Sequence, residues 1–129
     1  MIPDPASNSV VEQPLARATG KALDWQGLMS LADKHAVRFM HVTTCTNGKD
    51  PFHMSLWEGV PLREVIAMMG PKDNIRRVYY QSYPGENLPP FRGSMPLGQI
   101  LETPPGQMPP ILAYKMNGRP IPPTHGGPV

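Results

Sequence analysis

Cys45 is the only cysteine of the chain and the side chain with the widest range of possible chemistry. It follows the segment Phe39–Thr44, whose β-branched residues favour an extended strand. Asn47 and Gly48, just after it, are typical of a turn. A thiol at the exit of a strand can bind a metal or act as a nucleophile, whereas a lone cysteine is most often a small buried apolar residue. The residues alone leave all three interpretations open.

The other polar residues that could bind a metal or an anion lie in less specific sequence patterns. His35 and His41 have no partner at metal-ligand spacing, and His53 is interpreted as a surface or loop histidine. Arg76 and Arg77 could bind an anion, but adjacent residues of a strand face opposite ways. At least one of the two arginines is therefore predicted to be ordinary solvated surface.

Composition limits the classes of protein to consider. The 129 residues suffice for one domain or part of one, and 18 prolines predict many loops and edges. A net charge of +2, without basic runs interleaved with aromatic residues, argues against a nucleic-acid partner. No apolar run approaches the roughly 18 residues of a membrane span, and no signal-peptide pattern begins the chain. We expect either a cytoplasmic chain or a targeting segment outside it.

Apolar periodicity predicts a small domain of helices and strands after a flexible arm at residues 1–20. Asp24 is predicted to cap the first helix, and glycine followed by proline to end the second. Residues 49–56 are predicted to form a loop or an irregular strand and residues 83–93 a loop, with a short helix over 98–101. The main predicted elements are helices over 22–36 and 62–69, strands Val37–Thr44, Ile75–Ser82 and Ile111–Met116, a turn at Asn117–Gly118 and an edge strand Arg119–Pro123.

Two longer segments resemble the molybdopterin-binding domain of the sulfite oxidase family. They are Trp57–Leu62, reading W-E-G-V-P-L, and Leu112–Val129, which contains M-N-G and P-P-T-H-G-G-P-V. The resemblance runs from about Leu23 to Val129, with a cysteine-bearing strand first. It implies an α+β fold with a mixed sheet, rich in prolines and loops, in which residues 21–129 form a partial domain incomplete at its C-terminus.

The resemblance also implies a cofactor and roles for three residues. Cys45 matches the single protein thiolate on molybdenum, His125 a histidine that contacts the pterin, and Ser82 lies near a cofactor-contacting position. The implied cofactor is molybdenum–molybdopterin. The implied reaction is two-electron oxygen-atom transfer on a small sulfite- or sulfoxide-like molecule, with a redox partner such as a cytochrome and a periplasmic location if the family tendency holds.

Departures from the family pattern lead to an alternative. A cofactor-binding arginine usually follows directly after the position of Val129, and Lys49 stands where a basic residue of a G-N-x-R motif is expected. We therefore expect an incomplete pocket, with apolar surface exposed on the helix 61–69 or the strand Ile111–Met116. The alternative is a cofactor-free binding or structural module on the same fold, and molybdenum analysis of the purified protein separates the two.

Overall fold

The computed structural model describes residues 22–43, 53–82 and 89–127 of the chain. The predicted arm at residues 1–20 lies outside these ranges and stays a prediction. None of the helices in the described ranges is long and apolar enough to cross a membrane.

The described residues form an α+β arrangement of two sheets and short helices. The first sheet has the order β1-β2-β5-β6 and the second pairs β3 with β4. Every strand pairing in these ranges is antiparallel, so the parallel pairing of a mixed sheet is not among them. In chain order the elements are α1 (Trp25–His35), β1 (Val37–Thr43), β2 (His53–Pro61), α2 (Leu62–Met69), β3 (Arg77–Gln81), β4 (Arg92–Pro96), α3 (Leu97–Leu101), β5 (Ile111–Met116), β6 (Arg119–Pro120) and a 3-10 turn (Pro123–His125).

Both longer helices begin and end as their sequences predict. Asp24 caps α1, because its carboxylate accepts a hydrogen bond of 2.7 Å from the backbone N–H of Gly27. Pro61 precedes the first residue of α2, and Gly70 ends α2 in the left-handed conformation at φ 60°. The apolar spacing of α2 turns Val65, Ile66 and Met69 into the interior.

The core lies between α1, α2 and the first sheet. Its fully enclosed side chains include Leu28 of α1, Val60 of β2 and Val65 of α2, each with 0% of its surface exposed. The expectation that α2 would expose its apolar stripe is therefore wrong, although Met68 beside that stripe is 38% exposed.

One strand, β4, was absent from the sequence prediction, and another, β2, was predicted in part, as a loop or an irregular strand over residues 49–56. Residues 53–60 form most of β2, which is the central partner of both β1 and β5. Residues 92–96 form β4, which pairs with β3 over its whole length. Neither segment alternates cleanly between apolar and polar residues, and each contains a glycine and ends in a proline, so local pattern favoured loop structure. Tertiary pairing overrode that preference.

The turn between β5 and β6 was predicted correctly. Asn117 and Gly118 adopt φ values of 52° and 77°, as a two-residue hairpin turn requires. The Asn117 side chain also accepts a 2.9 Å hydrogen bond from the Leu56 backbone, which fixes the turn against β2. The edge strand is shorter than predicted, since β6 covers only Arg119–Pro120.

Candidate functional site

The segment Trp57–Leu62 joins the first sheet to α2. The strand register shifts between Glu58 and Gly59, where β5 carries an extra residue. A Cβ added at Gly59 would lie 2.5 Å from the Leu112 carbonyl oxygen and 2.8 Å from the Ala113 Cα, so the close approach of the two backbones requires glycine. Val60 then enters the core and Pro61 starts α2. In the described structure this motif builds the scaffold, and its one unsatisfied buried polar atom is Nε1 of Trp57.

A polar cluster crosses the irregular pairing of β2 with β5. The Tyr114 hydroxyl donates a 2.8 Å hydrogen bond to the Glu58 carboxylate, and Lys115 lies 3.3 Å from the same oxygen. The hydrogen bond from Tyr114 lowers the pKa of Glu58 below its usual range, with Lys115 and Arg38 adding to the effect and burial opposing it. Burial, together with this carboxylate, raises the pKa of Tyr114 to about 12. The cluster therefore favours an ionised Glu58 beside a neutral Tyr114.

The lowered pKa of Glu58 predicts a pH-dependent contribution to stability. Because the folded state prefers the carboxylate, this contribution is present above the ordinary pKa of 4.5 and is lost as the pH falls through the lower folded value. Glu58→Gln should reduce the free energy of unfolding by about 1–2 kcal/mol near neutral pH. The loss should shrink below about pH 4. Urea unfolding near neutral pH and below about pH 4 measures this loss in the free energy of unfolding. Glu102→Gln, which changes an exposed carboxylate, is the control. An equal loss at both pH values would contradict this role of the cluster.

His125 lies at the end of the 3-10 turn and is exposed. Backbone hydrogen bonds from His125 and Gly127 to the Pro122 carbonyl close the turn at 2.9 and 3.1 Å. The Nδ1 atom of the ring lies 3.1 Å from the Thr124 hydroxyl, and Nε2 has no partner among the described residues. When Thr124 donates to Nδ1, the neutral ring carries its proton on Nε2 and can donate it to a ligand.

The two glycines after His125 are required by the turn itself. Gly126 adopts φ 87°, which side chains other than glycine rarely tolerate, and a Cβ there would meet nothing within 4 Å. A Cβ at Gly127 would collide with the Ile121 carbonyl oxygen. Open space beside Gly126 and the outward imidazole of His125 fit a polar ligand, such as the pterin of a molybdenum cofactor.

Ser82 lies at the end of β3 and closes the pairing of β3 with β4. Its hydroxyl accepts a 2.8 Å hydrogen bond from the Phe91 backbone N–H, and its own N–H donates to the Phe91 carbonyl at 2.8 Å. The hydroxyl keeps a proton that it can donate to another group. A cofactor contact at Ser82 stays a prediction.

Cys45 lies outside the described residues, so its place relative to His125 stays a prediction. In the described part, Thr43 at the end of β1 is paired with His53 at the start of β2. β1 and β6 are opposite edges of the first sheet, three strand spacings or about 14 Å apart. The sheet therefore places β1 and β6, the strand that leads to the His125 turn, on opposite edges. The described ranges contain no group of three metal-ligating side chains.

Comparisons with known proteins agree with the resemblance read from the sequence. A protein-family model for the oxidoreductase molybdopterin binding domain matches residues 15–129. The inducible nitrate reductase [NADH] 1 of Glycine max is 35% identical over 78 residues, which are 58% of this chain and 9% of that protein. No solved structure matches significantly. Because the family match covers most of the chain, the protein belongs to the oxidoreductase molybdopterin binding domain family.

Proposed function

We propose that this protein is a molybdenum cofactor-dependent oxidoreductase of the sulfite oxidase type. The observation that carries the proposal is the outward imidazole of His125, held by a turn that only glycine can complete at Gly127. Family membership over residues 15–129 supports the same cofactor. When bound, the molybdenum centre would supply two-electron oxygen-atom transfer.

Three residues would hold the cofactor in this proposal. The Cys45 thiolate would be the protein ligand of molybdenum, since a soft sulfur suits a redox-active metal and the metal keeps the thiol deprotonated. His125 would donate from Nε2 to a polar group of the pterin. Ser82 would contribute its hydroxyl proton. These three roles are compatible, because the Cys45 thiolate would bind the metal, whereas the His125 imidazole and the Ser82 hydroxyl would donate hydrogen bonds.

The proposed substrate is a small molecule that gains or loses one oxygen atom. Sulfite- and sulfoxide-like molecules are the first candidates, and the relative named as an NADH-dependent nitrate reductase adds nitrate. The chain spans 9% of that relative's length, so the activity, substrate and redox partner of the whole protein are proposals. Steady-state assays with each of the three substrates and a cytochrome-like electron carrier would distinguish among them.

We also propose that an apolar group on the first sheet is covered by another protein surface. Met40, Val42 and Met54 are 54, 46 and 65% exposed, and the last two are cross-strand partners on one face of the first sheet. Neighbouring apolar side chains that are exposed on one surface are normally covered by another protein surface. The chain by itself should therefore associate in solution. A monodisperse monomer in analytical ultracentrifugation would count against this part of the proposal.

His125→Ala should lower the amount of cofactor retained by the protein without unfolding it. Losing a hydrogen bond between neutral groups costs about 0.5–1.5 kcal/mol, or roughly twofold to tenfold in affinity. Molybdenum and pterin per polypeptide, measured after purification from a cofactor-producing host, provide a readout independent of turnover. His35→Ala is the matched control, because His35 is a partly exposed histidine of α1. Equal cofactor in wild type and His125→Ala would reject the role of His125.

A further inference from the structure

The paired strands β3 and β4 have two different faces. Val78 and Met95 are half-buried cross-strand partners on one face, which also carries Tyr80 at 43% exposed. The opposite face carries exposed Arg77 and Tyr79 from β3 and exposed Arg92 from β4. We call these last three residues the arginine–tyrosine face.

Both guanidinium groups of this face are positioned by neutral partners. Arg77 donates from Nε and Nη2 to the Ser94 hydroxyl at 3.3 and 2.9 Å. Arg92 donates from Nε to the Gln81 side chain at 3.0 Å. Neither arginine forms an ion pair within the described structure, where the carboxylates in ion pairs belong to Glu58 and Glu64. The Nη groups are therefore oriented, charged and available to carboxylates of another molecule.

Tyr79 lies between the two arginines and is 70% exposed. It is the cross-strand partner of Ser94, in the middle of the pairing. A large aromatic side chain in this setting offers flat contact area at little entropic cost, and tyrosine and arginine are the types that dominate binding energy at protein interfaces. Arg77, Tyr79 and Arg92 together therefore form a charged and aromatic surface of the type found at protein interfaces.

We propose that the arginine–tyrosine face binds an extended acidic segment of a partner protein. Arg92 pairs with Gln81, four residues along β3 from Arg77, so the Cα positions of the two arginines are about 13 Å apart along the strand, and the Arg77 guanidinium lies at Ser94 between them. An extended segment presents the side chains of residues i, i+2 and i+4 on one face over about 13 Å, so its carboxylates can lie along both arginines. The net charge of +2 provides no broad positive field for nucleic acid.

The test uses a fluorescent octapeptide of alternating glutamate and threonine, with fluorescence anisotropy at low salt as the readout. The wild type should bind it, and binding should weaken as salt rises. The double variant Arg77→Gln/Arg92→Gln should weaken binding at least about tenfold, because it removes two charge-assisted contacts. Tyr79→Ala should weaken binding without changing its salt dependence. Unfolding midpoints should stay near the wild type, because all three side chains are exposed.

A charge-matched control separates this face from general attraction. Lys72→Gln/Arg119→Gln removes two exposed cations elsewhere and should leave peptide binding within about twofold of wild type. The proposal is overturned if both double variants bind alike, if a glutamine–threonine octapeptide binds as well, or if an eight-residue oligothymidine binds more tightly. Molybdenum content plays no part in these outcomes, so they are independent of the proposed enzymatic function.

Discussion

Cys45→Ser should remove nearly all turnover while leaving the protein folded. Serine keeps the approximate volume of cysteine but offers a hard oxygen to a metal that prefers sulfur here. Loss of residues that merely orient metal ligands costs 10- to 100-fold, so loss of the ligand itself should cost at least about a hundredfold. The measurement is kcat on the best substrate, together with molybdenum per polypeptide.

The structure supplies a control for this variant. β1 and β2 are held together by pairing from Val37 opposite Gly59 to Thr43 opposite His53, and this pairing does not involve the cysteine. The thermal midpoint of Cys45→Ser should therefore stay close to that of the cofactor-free wild type. Unchanged turnover at normal molybdenum content would reject Cys45 as the ligand, and an unfolded variant would assign the residue to the core.

Gly59→Ala should produce the largest loss of stability among single-methyl additions in the first sheet. The new Cβ would lie 2.5 Å from a backbone oxygen of β5, and backbone, unlike a flexible side chain, cannot move aside alone. Overpacking of this kind costs about 1–3 kcal/mol, and disturbance of the neighbouring Glu58–Tyr114 hydrogen bond should bring the loss toward the upper end. The free energy of unfolding in urea measures it.

Gly98→Ala is the matched control within the same chain. Gly98 lies inside α3, and a Cβ there would meet nothing within 4 Å. Alanine at such a helical position should be neutral or should stabilise the protein by up to about 1 kcal/mol. If the two variants changed stability equally, the close approach of β2 and β5 would not be the reason for glycine at position 59.

Elements with strong local signals could be predicted from the sequence. Asp24 begins α1 and Gly70 ends α2. The capping hydrogen bond of Asp24 and the left-handed backbone of Gly70 depend on only a few neighbouring residues. Asn117 and Gly118 likewise define their turn locally. The strand β2 could not be predicted in this way, because its partners lie in β1 and β5 and its own sequence contains glycine, proline and no clean alternation.

The site could be predicted only in part. The exposed position of His125 agrees with a ligand-facing role, although the glycines beside it serve the turn more directly than the cofactor. The hydrogen bond from Tyr114 to Glu58 joins residues 56 positions apart, and nothing in their local sequence indicates it. The arginine–tyrosine face was also missed, because Arg92 was placed in a loop and its pairing with β3 was not foreseen.

Alkylation of the single cysteine tests the central claim most directly. Cys45 is the only thiol in the chain, so one added label in intact-protein mass spectrometry reports this residue alone. Iodoacetamide is added to protein from a cofactor-producing host, and native mass spectrometry separates molybdenum-bearing from metal-free molecules. Molybdenum-bearing molecules should stay unlabelled and become reactive once the cofactor is released. Equal labelling of both populations would contradict the assignment of Cys45 as the molybdenum ligand, and absence of molybdenum-bearing molecules would contradict cofactor binding by this chain.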